Sequence, residues 1–144
     1  MVSSQTLTPL TTLTIGVDIG GTKVLGGVVD SSGKILTTHR KDTPKQGGEA
    51  LTQTISEVIL ELKKEFDAQA VGISAAGFVS SDRKTMLATP NISGWNGINL
   101  QETISSKVGL PVVIDFVTLR SSHNYLAINK FFNNLFFCCV YYCF

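Results

Sequence analysis

A pair of glycines lies in a short turn between two β-rich segments near the start of the chain. Residues 12–18 (TLTIGVD) alternate in the way a half-buried strand does, and residues 23–30 (KVLGGVVD) form a second β-rich run. Because only residues 19–22 (IGGT) separate the two runs, the chain must reverse there and pair them as a hairpin. A third run at 34–41 follows the turn at 31–33, so the sequence predicts an antiparallel meander.

A helix is predicted after this meander, beginning near Gly48. Apolar residues recur there at the spacing of one helix face, at Leu51, Ile55, Val58, Ile59, Leu62 and Phe66. A second helix is expected from Asn99, an amide variant of the capping box with Glu102, to a stop at Gly109.

Two further strands complete the prediction, at 70–74 (AVGIS) and at 111–115 (PVVID). The predicted order is β-β-β-α-β-α-β, an α/β fold with a mixed twisted sheet and helices on its faces. The long segment 75–98 is expected to be functional and to contain a small hairpin around residues 80–82.

The glycine turn also carries the strongest functional signal, Asp18-Ile-Gly-Gly-Thr-Lys23. Two adjacent glycines let backbone N–H groups approach a bound anion without a Cβ in the way. Thr22 adds a hydroxyl donor, Lys23 adds a positive charge, and Asp18 is placed to hold Mg²⁺ directly or through water. Phosphoryl transfer depends on these parts, although a glycine hairpin with a charged rim is the structural alternative.

Four motifs in order give a family resemblance over residues 13–115. VDIGGTK with VLGGVVDSSGKIL, then AVGISAAGF, ATPNISGW and GLPVVID, resembles the ROK group of kinases and repressors in the actin-like ATPase (ribonuclease H-like) superfamily. The segment AAGF, followed by SSDR, is most similar to the sequences of bacterial ATP-dependent glucokinases. The resemblance implies the amino-terminal half of such a kinase, with ATP, Mg²⁺ and a hexose, glucose first, as ligands.

Site residues follow from the resemblance one position at a time. It gives contact with the ATP phosphates to Asp18, Gly20, Gly21, Thr22 and Lys23, and contact with the sugar hydroxyls to Gly77 and Asn91. An asparagine amide both donates and accepts, which suits paired hydroxyls, although Asn91 after Pro90 is also a common turn former. Trp95 could stack on a sugar face, but loop packing is the favoured interpretation.

The pattern departs from the family after the last strand. The family places an acid, an asparagine and then the catalytic aspartate there, and this sequence has Asp115, Phe116 and Val117. A valine accepts no proton, so no catalytic base is retained at Val117. Asp115 is a weak substitute, because it lies about 6–7 Å back along the strand and a general base works near 3 Å.

Composition changes at the same place. Residues 116–144 contain no acidic residue, only Arg120 and Lys130 as cations, and nine of the 12 aromatic residues. We therefore expect three segments: a polar 1–12, a kinase lobe 13–115, and a tail 116–144 that is not family-like and reflects a frameshift or truncation. The three cysteines lie within the last seven residues, and the family's zinc motif is absent.

Bulk properties exclude some classes of function. A net charge of +1 favours neither nucleic acid nor an anionic membrane, and residues 1–12 lack the features of a secretory signal, so a cytoplasmic protein is expected.

The resemblance implies a glucokinase-type lineage with negligible turnover in this chain, and a homodimer is possible in the full-length family. A non-catalytic phosphate- or sugar-binding remnant stays open. A ROK transcriptional regulator is disfavoured, because the segment before Asp18 is too short for a DNA-binding domain.

Overall fold

The computed structural model describes residues 12–75, 77–89 and 92–116, without the side chains of the last two positions. Its elements follow one another as β1 Leu13–Ile19, β2 Lys23–Val29, β3 Ile35–Asp42, α1 Gly48–Glu65, β4 Ala68–Ala75, β5 Phe78–Val79, β6 Met86–Ala88, α2 Leu100–Val108 and β7 Val112–Phe116. The predicted order is confirmed, and the expected small hairpin is formed by β5 and β6 on either side of residues 80–82.

One five-stranded sheet organises this part of the chain, in the order β3-β2-β1-β4-β7. The first three strands are antiparallel, whereas β1, β4 and β7 run parallel to one another. The helices α1 and α2 supply the two crossovers that parallel neighbours require. The mixed sheet expected from the sequence is therefore confirmed.

Within the described residues, α1 and α2 contact each other and share one apolar core with the same side of the sheet. The core-facing residues of adjacent strands lie in register rows, such as Val17 beside Ile73 and Ile73 beside Ile114. Gly26 lies opposite Val17, and a Cβ there would meet the Val58 side chain at 2.5 Å. This glycine therefore lets α1 lie close to the sheet.

The ends of α2 follow the sequence signals. The Asn99 side chain accepts a hydrogen bond from the Glu102 backbone N–H at 3.1 Å, and its amide donates to the Glu102 carboxylate at 3.2 Å. Gly109 ends the helix in the left-handed conformation with φ 68°, which glycine adopts without strain. The expected amide variant of the capping box is confirmed.

Candidate functional site

The β1–β2 turn, at the carboxyl end of β1, presents backbone amides that have no partner among the described residues. The Gly20 N–H closes the turn on the Lys23 carbonyl oxygen at 2.9 Å. The N–H groups of Gly21 and Thr22 donate to no other described residue, and both residues are exposed. A Cβ added to Gly21 would meet no protein atom within 4 Å, so the fold leaves open space there.

Thr43, which follows β3 directly, binds this turn through hydrogen bonds to its carbonyl oxygens. Its hydroxyl donates to the Gly20 carbonyl oxygen at 2.8 Å, and its N–H donates to the Thr22 carbonyl oxygen at 3.0 Å. The two bonds attach the turn to the loop that connects β3 with α1.

The other end of the β3–α1 loop is attached to the loop after β6. The Gly48 N–H donates to the Ser93 carbonyl oxygen at 2.8 Å. Gly47 has φ 61°, and a Cβ there would clash with the same oxygen, so this position needs glycine for both conformation and space. The two loops are therefore held together over Gly47 and Gly48.

Trp95 reinforces this junction from the core. It is fully buried, and its indole Nε1 donates to the Gly48 carbonyl oxygen at 3.0 Å and contacts the Thr52 hydroxyl at 3.3 Å. The favoured interpretation of Trp95 as loop packing is confirmed, because a ring with no exposed surface offers no face to a sugar.

A cavity of about 440 Å³ lies between the glycine turn and the loop after β6. Its lining residues are Gly21, Thr43, Pro44, Lys45, Gly47, Thr89, Ile92, Ser93, Gly94 and Asn96. The predicted phosphate residue Gly21 therefore shares one cleft with Thr89 and Ile92, the described residues on either side of the segment 90–91. Asn91 itself lies outside the described residues.

The remaining predicted residues are placed less directly. Asp18 lies near the end of β1, in register with Ser74 of β4, which is in register with Asp115 of β7. Gly77 is not among the residues that line the cavity, and a Cβ there would lie 2.6 Å from the Ala88 carbonyl oxygen. The structure thus gives Gly77 a packing role, while its contact with sugar stays a prediction. Val117 lies outside the described residues.

Several cleft residues escaped the sequence reasoning, namely Thr43, Lys45, Gly47 and Ser93. The Thr-Pro step after a strand and the Gly47–Gly48 pair were visible as loop signals, but nothing local showed which loops they would touch. The adjacent glycines Gly47 and Gly48 were the usable signal, because a glycine pair in a loop often marks a place where another backbone segment approaches closely.

Charged groups with a perturbed pKa lie away from the cavity lining. The pKa of Glu57 is lowered by its hydrogen bond with the Lys41 ammonium, and that of Asp82 by the Ser80 hydroxyl. Among the described residues, no group of three or more His, Cys, Asp or Glu side chains is arranged to hold a metal ion. No helix in that part of the chain is long and apolar enough to span a membrane.

Comparison with known proteins identifies the family and supports the fold. Residues 14–137 match the ROK family. The Streptomyces coelicolor glucokinase is 46% identical over 103 residues, which cover 72% of this chain and 32% of that protein. The Thermotoga maritima glucokinase is 32% identical over 102 residues, covering 70% and 32%. A solved ROK family glucokinase from Streptomyces griseus, in complex with glucose and AMPPNP, has a TM-score of 0.69 at 44% identity, covering 72% and 33%.

The fold is that of the ROK actin-like ATPase-fold kinases among its structural neighbours. This chain belongs to the ROK family, and its lineage is that of sugar kinases. It spans about a third of the length of the curated relatives it matches. The matched range extends beyond Asp115, and the segment boundary expected at that residue stays a prediction.

Proposed function

We propose that this chain is the nucleotide- and sugar-binding lobe of a glucokinase-type enzyme. The reaction of that lineage transfers the ATP γ-phosphoryl group to the glucose 6-hydroxyl and gives glucose 6-phosphate and ADP. One observation carries the proposal: a single cavity joins Gly21 of the glycine turn to Thr89 and Ile92, which flank the predicted sugar residue Asn91. Donor and acceptor groups must meet in such a shared space for direct transfer.

The donor side of the proposed site is the β1–β2 turn. The N–H groups of Gly21 and Thr22 have no described partner and would donate to phosphate oxygens, with the Thr22 hydroxyl beside them. The Lys23 ammonium would add positive charge. Bound Mg²⁺ would neutralise charge on the phosphate oxygens, and the Asp18 carboxylate is the oxygen ligand offered to it.

The acceptor side is the loop between β6 and α2, residues 89–99, which we call the acceptor loop. Asn91 is proposed to exchange hydrogen bonds with paired sugar hydroxyls, and Gly77 to face the sugar hydroxyls through its backbone. Tight seating of this loop on Gly47 and Gly48 supports the proposal, because an acceptor hydroxyl must be held within a few tenths of an ångström of its reactive position.

Catalysis is the step that we propose this chain does not complete. The family resemblance places the base at Val117, which has no group that could take the proton from the 6-hydroxyl. Asp115 precedes that position by two residues, about 6–7 Å along a strand, beyond direct reach. The chain would therefore bind ligands with negligible turnover, which makes a non-catalytic binding remnant the practical description of these 144 residues.

Ligand-dependent thermal stability tests this proposal. Mg-AMPPNP and glucose should each raise the melting temperature, since a ligand that binds only the folded state stabilises it in proportion to the logarithm of its concentration. Sorbitol, which has the hydroxyls without the ring, is the control. If neither AMPPNP nor glucose shifts the transition at millimolar concentration, the binding proposal is wrong.

A coupled glucose 6-phosphate assay tests the second half of the proposal. We expect no rate above the blank, and a rate near that of a full-length ROK glucokinase would refute the assignment of Val117.

Sequencing the coding region beyond the codon for Asp115 tests the proposed frameshift. Absence of a Glu-Asn-Asp-type motif in every downstream frame would count against it. Cytoplasmic location and homodimer formation stay proposals, and sedimentation of the full-length homologous enzyme addresses the latter.

A further inference from the structure

Lys45 is a cationic residue of the cleft that has no role in the proposed function. It lines the same cavity as Gly21, and its side chain is exposed. Within residues 12–75, 77–89 and 92–116 it makes no ion pair or hydrogen bond. By contrast, Lys41, on the preceding strand, is paired with Glu57.

The backbone under Lys45 is held on both sides. Thr43 is bonded to the glycine turn through two hydrogen bonds, and Gly48 is bonded to Ser93 of the acceptor loop. Between these points the Gly47 N–H donates to the Pro44 carbonyl oxygen at 3.2 Å, which closes a tight turn with Lys45 near its tip. Pro44 further restricts the chain at the residue before Lys45. The backbone at Lys45 is therefore restrained, whereas its side chain is exposed.

We propose that Lys45 binds the terminal phosphate of the nucleotide donor. This inference rests on the proposed function of the cleft. An exposed ammonium on a fixed turn, beside the open space at Gly21, bonds an anion more strongly than the neutral hydroxyls of a sugar. Its flexible stem can follow a phosphate as a point charge, as lysines at phosphate sites do. The third phosphate is the group expected to lie nearest the acceptor loop, and Lys45 lies on the segment that joins the glycine turn to that loop.

Nucleotide titrations of the whole chain by calorimetry test this inference. Lys45→Gln should weaken the binding of Mg-AMPPNP by about five- to tenfold at low ionic strength, and that of Mg-ADP by less than about twofold. Lys45→Arg, which keeps the charge, should restore most of the AMPPNP affinity. Added salt at about 0.5 M should reduce the difference between Lys45→Gln and the wild type, since an exposed charge is screened.

Lys34→Gln is the matched control, because it removes the same charge from the β2–β3 turn at the opposite end of the sheet. Equal affinity of Lys45→Gln and wild type for AMPPNP would overturn the inference while leaving the proposed function intact. An equal loss for AMPPNP and ADP, or an equal loss in Lys34→Gln, would also overturn it. If the wild type itself bound no AMPPNP, both the inference and the donor half of the proposed function would fall.

Discussion

The hydroxyl of Thr43 donates a hydrogen bond to the carbonyl oxygen of Gly20 at 2.8 Å. In a trans peptide the carbonyl and the following N–H point in opposite directions. Fixing the Gly20 carbonyl against the Thr43 hydroxyl therefore directs the Gly21 N–H away from that hydroxyl, and no described residue accepts from it. The orientation of the Gly21 N–H, a proposed hydrogen-bond donor to phosphate, thus depends on the side chain of Thr43, which lies two strands further along the chain.

Replacing Thr43 with valine tests that dependence. The variant keeps the shape and the backbone N–H but loses the hydroxyl, so the turn should loosen and Mg-AMPPNP binding should weaken by about three- to tenfold. The glucose affinity should change by less than about twofold, because the acceptor loop is held elsewhere. Thr43→Ser should rescue nucleotide binding. A Thr43→Val protein that binds AMPPNP as tightly as the wild type would show that the hydroxyl positions nothing.

Gly21 and Gly77 should respond to alanine in opposite ways. At Gly21 the new Cβ meets no protein atom within 4 Å, so stability should change by less than about 0.5 kcal/mol while AMPPNP binding is largely lost. At Gly77 the Cβ would lie 2.6 Å from the Ala88 carbonyl oxygen, so Gly77→Ala should lower the free energy of unfolding by about 1–3 kcal/mol.

Urea denaturation and calorimetry of the two glycine variants separate space kept for a ligand from space needed by the fold. The pair of predictions fails if Gly21→Ala is the less stable protein, or if it retains the nucleotide affinity of the wild type.

Local sequence signals predicted most of the fold but little of the way its loops meet. The apolar period over α1 and the capping pair Asn99 and Glu102 act within a few residues, and the structure confirms both. The attachment of Gly47 and Gly48 to Ser93 joins positions that are distant in the sequence, and no periodicity or turn preference encodes such a partner. The residues of the glycine turn were identified by their chemistry and by resemblance, whereas Thr43 and Lys45 emerged only from their neighbours in space.

Trp95 offers a test of whether the loop junction matters for stability. Phenylalanine at this position removes the indole donor to Gly48, leaves the backbone oxygen without that bond, and leaves a small void in a fully buried site. We expect the free energy of unfolding to fall by about 2–3 kcal/mol. Leu87→Ala, at a side chain that is 56% exposed, should cost less than about 0.5 kcal/mol and is the control. A urea denaturation curve of Trp95→Phe that shows no greater loss of stability than this control would contradict the account.

Asp30 should give the chain part of its sensitivity to acid. Its carboxylate accepts hydrogen bonds from the Ser32 hydroxyl at 2.6 Å, the Ser32 N–H at 2.9 Å and the Lys34 N–H at 3.0 Å, and so closes the β2–β3 turn. The Ser32 hydroxyl, then the Lys34 N–H, lowers the pKa of Asp30 below its ordinary value of 3.8. A carboxylate with a lowered pKa contributes its full stabilisation when the pH is above the unfolded-state pKa. That stabilisation is lost as the pH falls through the folded-state pKa.

Asp30→Asn keeps an acceptor oxygen but cannot titrate, so the difference in stability between wild type and variant should be constant above about pH 5 and shrink below about pH 4. Urea midpoints measured from pH 2 to pH 7 check this. Ser32→Ala, which removes the hydroxyl that lowers the pKa most, should flatten the same limb in part. Since Glu57 and Glu61 titrate in the same range, the comparison must be made on the difference between proteins, where their contributions cancel. A difference that stays constant down to pH 2 would mean that the Asp30 carboxylate does not hold the turn as described.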